Sequence, residues 1–129
     1  MKKIATIIAI VFISGMGFAQ SGAKIDFAAK DNTIDYGNVT KASDSGIRIF
    51  DFTNTGDTPL LITSVQSTAS CSIIFKPTTS IMPGKSSKIE VKYNMVPGPI
   101  RKTITVETNA VNYESGRVAL KIKGEVIVN

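Results

Sequence analysis

The sequence contains no histidine and no tryptophan, and its single cysteine is Cys71. Without histidine, the usual Cys–His and Ser–His nucleophiles cannot form, and a common zinc ligand is missing. One cysteine cannot make an internal disulfide. The sequence also lacks a Gly-rich phosphate loop, a hydrolase elbow and a zinc motif. We therefore predict a protein that is not an enzyme, with no catalytic residue, no metal site and no cofactor.

The first part of the sequence, residues 1–19, has the pattern of a secretory signal peptide. Lys2 and Lys3 precede an apolar run, Ile4–Ile13, and Gly17-Phe18-Ala19 fits a cleavage site between small residues. Cleavage there leaves residues 20–129 and lowers the net charge from +5 to +3. The alternative is a retained membrane anchor, but the apolar run is shorter than the roughly 20 residues of a spanning helix. The expected location is exported, periplasmic or extracellular, with no membrane span after cleavage.

The rest of the sequence alternates between short apolar segments and turns. Apolar residues run from Phe50 towards Asn54, and Pro59 begins the next apolar segment. We expect Asn54 to hydrogen-bond its own backbone two residues on and Gly56 to take a positive φ. Such units recur roughly every ten residues, which is typical of a sandwich of seven or eight antiparallel strands in one domain, 20–129. The predicted strands are Lys24–Ala28, Thr33–Val39, Ile47–Asn54, Leu60–Val65, Cys71–Phe75, Lys88–Tyr93, Thr103–Thr108 and Val118–Val128, with Pro97-Gly98-Pro99 as a breaker.

The strand that begins at Ile47 has two possible orientations. If Phe50 and Phe52 face the core, Ile47 and Ile49 point outwards, whereas the opposite orientation buries Asp51 at a higher energetic cost. We predict that Phe50 and Phe52 lie in the core. Ile47 and Ile49 are then either covered by a loop or by a bulge that resets the alternation, or form an exposed apolar patch for a partner.

Several segments, in this order, resemble a known family. They are Ile34-Asp35-Tyr36-Gly37, Phe50-x-Phe52-x-Asn54-Thr55-Gly56, Pro59-Leu60-x-Ile62, Pro83-Gly84 before Ile89-x-Val91, Thr103-Ile104-Thr105-Val106, and Leu120-Lys121-Ile122-Lys123-Gly124-Glu125-Val126. The chain is similar to a family of exported bacterial proteins of uncharacterised function. Their immunoglobulin-like fold is related to the abnormal-spindle/hydin (ASH) and major-sperm-protein domains. The resemblance implies an all-β, immunoglobulin-like sandwich and supplies no activity.

The sequence departs from this family around Cys71. Family members often carry Cys-Gly-Cys where this chain has Ala69-Ser70-Cys71. Any paired-thiol chemistry implied by the resemblance therefore lacks its first thiol here. Cys71 itself has three interpretations: a partly buried apolar residue, a reactive or dimer-forming thiol, or a lone metal ligand. It is the candidate reactive thiol.

The charged residues suggest surfaces rather than catalysis. Lys88 and Lys92 share one outer face of a strand and, with Ile47 and Ile49, form the candidate partner surface. A wider basic set could meet anionic lipid, polysaccharide or an acidic protein, or could simply decorate the outer strands. The mild charge does not indicate nucleic acid, and solvated aspartates are the better interpretation than a carboxylate enzyme. The wider basic set is Lys76, Lys85, Lys88, Lys92, Arg101 and Lys102.

The functional prediction is an exported, non-enzymatic immunoglobulin-like module of the cell envelope. It would be structural, or would bind another envelope or secreted protein. The alternative is a thiol-dependent redox or covalently dimerising protein that acts through Cys71.

Overall fold

The computed structural model describes residues 21–128, so the predicted signal peptide, residues 1–19, lies outside the described residues. Two short 3-10 turns, Lys30–Asn32 and Glu114–Gly116, are the helical elements of the described part of the chain, and neither is long and apolar enough to cross a membrane. The strands are β1 (Ile25–Phe27), β2 (Thr33–Val39), β3 (Ile47–Asn54), β4 (Ile62–Gln66), β5 (Cys71–Phe75), β6 (Ser86–Tyr93), β7 (Gly98–Thr108) and β8 (Arg117–Val126).

These strands form two four-stranded sheets that enclose one hydrophobic core. The first sheet has the order β1-β3-β6-β5, and the second has the order β2-β8-β7-β4. The predicted sandwich of seven or eight strands is confirmed. One pairing was not predicted: β2 runs parallel to β8, while the other neighbours are antiparallel. Two parallel strands must be joined by a long connection. Here that connection is the chain from β3 to β7.

The core follows from alternation along the strands. Phe50 and Phe52 are buried, with 0% and 1% of their surfaces exposed, so the predicted orientation of β3 is confirmed. Inward residues of the facing sheet meet them across the interior. This orientation commits the intervening residues of β3 to the outer face. The largest fully buried side chains are Phe50, Phe52, Ile25, Leu60, Ile89, Ile100, Ile104, Leu120, Ile122, Val91, Val106 and Val118.

The turn after β3 is held by one buried amide. The Asn54 side chain donates to the carbonyls of Thr58 and Ile81, each at 2.8 Å, and accepts from the Gly56 N–H at 2.9 Å. The predicted bond two residues on is therefore confirmed. The predicted positive φ of Gly56 is wrong, because this glycine is not among the positive-φ residues. Glycine is needed for space instead, since an added Cβ would lie 2.1 Å from the Gly22 carbonyl oxygen.

Strand β7 begins earlier than predicted. Gly98 and Pro99 were expected to break the chain, but both lie in β7, where Pro99 stands opposite Glu125 of β8. The pairing of β7 with β4 starts only at Thr105, so this end of β7 has an unpaired side. A proline is tolerated there because no strand pairs with that side of β7, so the missing N–H costs no hydrogen bond between strands.

Candidate interaction face

The outer face of the first sheet brings the predicted partner-surface residues together. Ile47 and Ile49 of β3 are paired with Lys92 and Glu90 of β6. Lys88 is the next residue of β6 on the same face. Ile47 is 38% exposed and Ile49 is 44% exposed. The register between β3 and β6 is continuous, so neither a bulge nor a covering loop hides these isoleucines. Of the two alternatives, the structure shows the exposed apolar patch.

Phe75 extends this patch from the neighbouring strand. The register between β5 and β6 shifts between Ile73 and Phe75, which places Phe75 opposite the outward-facing Glu90. The ring is 42% exposed. Strict alternation from Cys71 would have turned Phe75 inwards with Ile73, so sequence reasoning missed it. We call Ile47, Ile49 and Phe75 the outer apolar patch.

Charged side chains divide and border the outer apolar patch. The Lys88 ammonium lies 2.7 Å from a Glu90 carboxylate oxygen and 5.6 Å from the centre of the Phe75 ring. Lys92 is exposed beside Ile47 and, among residues 21–128, has no carboxylate within ion-pair distance. As far as residues 21–128 show, the patch therefore offers apolar contact beside a cation, Lys92, that can meet an acidic group.

A cluster behind the patch fixes the loop that leads into β3. The Tyr36 hydroxyl donates to the Gly46 carbonyl at 2.5 Å, and the Arg48 guanidinium lies 3.8 Å from the centre of the Tyr36 ring. Arg48 also donates two hydrogen bonds to Asp44, at 3.0 and 2.8 Å. Burial raises the pKa of Tyr36 to about 12, so this phenol stays protonated. The cluster is structural and positions Ile47, the first residue of the patch.

The sequence of the chain matches one family of proteins. Residues 27–126 match a family described as "Protein of unknown function (DUF1573)". The chain belongs to the DUF1573 family. The family resemblance predicted from the sequence is thereby confirmed. A comparison with curated proteins gives no match.

Solved structures show what fold this DUF1573 member has. It is similar to a protein of unknown function from Porphyromonas gingivalis W83, with a TM-score of 0.65, 17% identity, and coverage of 92% of this chain and 55% of that one. It is also similar to the secreted serine protease VesC from Vibrio cholerae, with a TM-score of 0.56 and 17% identity. The match covers 80% of this chain and 23% of the protease. A third similar structure is the ASH/PapD-like domain 7 of human CEP192, with a TM-score of 0.53 and 11% identity. The match covers 82% of this chain and 87% of that domain.

These likenesses confirm the immunoglobulin-like fold of the DUF1573 member and go no further. The chain spans about half the length of the Porphyromonas protein and about a quarter of the protease. At such low identities, a shared sandwich does not carry an activity from one protein to another.

The surroundings of Cys71 in the DUF1573 member disfavour an activated thiol. It is half-buried at the start of β5, opposite Tyr93. Burial raises the pKa of the Cys71 thiol, and the nearby positive charge of Lys102 offsets only part of that rise. The neutral thiol is a poor nucleophile. With one cysteine in the sequence, the thiol-dependent alternative is not favoured.

The wider basic set of the DUF1573 member does not form one surface. Lys88 and Lys92 face outwards from the first sheet, whereas Arg101 is exposed on the second sheet. Lys102 shares the inward alternation of Ile100 and Ile104 and is only half-exposed. Sheet order, rather than nearness in the chain, decides which of these cations are neighbours.

The described part of the DUF1573 member, residues 21–128, has open surface pockets with different linings. Two open pockets, of about 640 and 610 Å³, are lined mainly by apolar and hydroxyl residues and by no carboxylate. Over residues 21–128, no three His, Cys, Asp or Glu side chains lie close enough together to hold a metal ion.

Proposed function

We propose that this protein is an exported, non-enzymatic module that binds another envelope or secreted protein through the outer apolar patch. The observation that carries the proposal is the exposure of Ile47, Ile49 and Phe75 on one sheet face. Exposed apolar groups brought together on a regular surface are a feature of interaction sites. Export rests on the basic and apolar pattern of residues 1–19.

The chemistry of the patch favours a partner that carries one apolar and one acidic group. An apolar, preferably aromatic, group would cover Ile49 and Phe75, and an acidic group would meet Lys92. Glu90 already neutralises Lys88 at 2.7 Å, so the free positive charge lies at the Ile47 end of the patch. The partner should therefore place its apolar contact and its acid about two strand positions apart.

Site-specific photo-cross-linking in the native cell tests the surface. A photoreactive phenylalanine analogue at position 49 should cross-link to one identified protein, whereas the same analogue at position 127 should not. Ile127 is also 44% exposed but follows β8, a strand of the second sheet. Equal cross-linking to the same protein from both positions would contradict the assignment of the face.

Substitutions test the contribution of the apolar groups to that identified complex. The double variant Ile47→Thr/Ile49→Thr retains residues that suit a strand and should weaken binding by about 2 kcal/mol. Ile127→Thr serves as the matched control and should bind like the wild type. Binding of the double variant at wild-type affinity, with an unchanged thermal midpoint, would reject this face as the binding site.

A further inference from the structure

The opposite side of the sandwich carries a second, chemically different surface. On the outer face of the second sheet, Arg101 of β7 stands directly opposite Lys123 of β8, and Lys121 follows on the same face. We call Arg101, Lys121 and Lys123 the basic face. Directly opposed residues of antiparallel strands have Cβ atoms about 5 Å apart, and like charges in such a pair destabilise the sheet.

Within residues 21–128, no acidic side chain forms an ion pair with these three cations. Arg101, Lys121 and Lys123 have no carboxylate oxygen within 4 Å. Asp35 of β2 is in register with Lys123, but its carboxylate accepts a hydrogen bond from the Gly37 N–H at 2.8 Å. One carboxylate oxygen of Asp35 is therefore used within its own turn, and among residues 21–128 none of the three cations is held in an ion pair.

The surroundings of the basic face narrow the class of anion. A shallow depression of about 340 Å³ is lined by the three cations, by Lys102 and by the hydroxyl residues Thr33 and Thr103. Every exposed large apolar side chain of residues 21–128 lies outside β2, β7 and β8. The face thus lacks the apolar centre of a protein interface and the aromatic platform on which nucleic-acid bases stack.

We propose that the basic face binds a glycan that carries carboxylate or phosphate groups. Arg101 and Lys123 would share one oxyanion, Lys121 would meet the next, and threonine hydroxyls would hydrogen-bond the sugar between them. Binding would also remove the repulsion between Arg101 and Lys123. This face is separate from the outer apolar patch, so the proposal does not depend on the protein-binding function.

The test measures binding of the full chain to soluble glycans at fixed ionic strength. Polygalacturonate supplies carboxylates, phosphomannan supplies phosphates, and dextran is the neutral control. The variant is Arg101→Gln/Lys121→Gln/Lys123→Gln. The matched control is Lys41→Gln/Lys76→Gln/Lys85→Gln, which removes the same charge from exposed positions elsewhere.

We expect the wild type and the control to bind at least one charged glycan and to ignore dextran. The basic-face variant should bind about tenfold more weakly or worse, as expected for the loss of charged hydrogen bonds. Its thermal midpoint should be equal or higher, since a repulsion is removed, so loss of folding would not explain the loss of binding. The more tightly bound glycan identifies the preferred oxyanion.

Three outcomes would overturn the proposal. The first is that neither charged glycan binds. The second is that the two variants weaken binding equally, which would mean that net charge, rather than this face, determines binding. The third outcome is binding to phosphatidylglycerol vesicles that is at least as tight as binding to the glycans and is lost in the basic-face variant. That result would assign the face to a membrane surface.

Discussion

Phe75 owes its position on the surface to one additional residue in β5. The register shift leaves Ile74 without a counterpart on β6, and the residue after it moves from the core side to the outer face. A bulge of this kind re-aims a side chain at the edge of a sheet. Simple alternation cannot locate it, because the segment Ser72–Phe75 contains no glycine or proline that marks the irregularity. The predicted surface residues Ile47, Ile49, Lys88 and Lys92 needed only regular alternation.

At the residue scale, Cys71 should react slowly with alkylating reagents. Its raised pKa leaves less thiolate at pH 7.5 than an unfolded cysteine has, and burial limits access. The alkylation rate with iodoacetamide should therefore be severalfold lower in the native protein than in urea. It should keep rising above about pH 8.5, where an ordinary thiol begins to level off. A native rate equal to the unfolded rate, or a disulfide-linked dimer on non-reducing gels, would contradict this.

Asn54 is the side chain whose loss should cost the most stability for its size. It is fully buried, and it serves two carbonyls and the Gly56 N–H. Asn54→Ala leaves these groups without partners, so the free energy of unfolding should fall by about 3 kcal/mol. Urea denaturation measures the change. The exposed Asn38→Ala is the control and should change stability by less than about 0.5 kcal/mol.

At the scale of elements, the bounds of β2, β3 and β5 agree with those predicted from the sequence. Their ends coincide with turn residues that act locally, such as Asn54. The predicted start of β7 was wrong because the Pro-Gly-Pro pattern does not reveal that one side of the strand is unpaired. Lateral order was not predictable either, since alternation shows which residues face the core but not which strands pair. The basic face was missed for this reason: it exists only because β7 lies beside β8.

The loop before β3 should make stability depend on pH through Asp44. Hydrogen bonds from Arg48 and from the Gly46 N–H hold the pKa of Asp44 below its usual range. The folded pKa is lower than the unfolded value of about 3.9, so the stabilisation is present above that value. It is lost as the pH falls through the folded pKa.

Asp44→Asn should therefore lower the free energy of unfolding by about 1 kcal/mol at pH 7. The difference from the wild type should shrink as the pH falls through the folded pKa of Asp44. Urea denaturation at a series of pH values measures it. The exposed Asp26→Asn should change stability by less than about 0.5 kcal/mol at pH 7, and an Asp44→Asn effect that stays constant down to the lowest pH would refute the linkage.

At the scale of the whole molecule, the sandwich separates two surfaces of opposite character. The outer apolar patch lies on the first sheet and the basic face on the second, with the shared core between them. Packed sheets stand about 10 Å apart, and side chains on the outer faces add to that distance. Charges on the two faces are thus separated by more than a Debye length of about 8 Å at physiological ionic strength. A ligand on one face neither touches nor electrostatically perturbs a ligand on the other.

The two proposed ligands should therefore bind independently and at the same time. The affinity for the charged glycan, measured by calorimetry, should change by less than about twofold when the protein partner saturates the apolar patch. Each set of substitutions should weaken its own ligand and leave the other unaffected. A tenfold mutual weakening would mean that the sites overlap or are coupled through the core. If the two ligands bind independently, the domain can link a protein to an anionic glycan. This linking role would depend on both faces of the sandwich and not on either site alone.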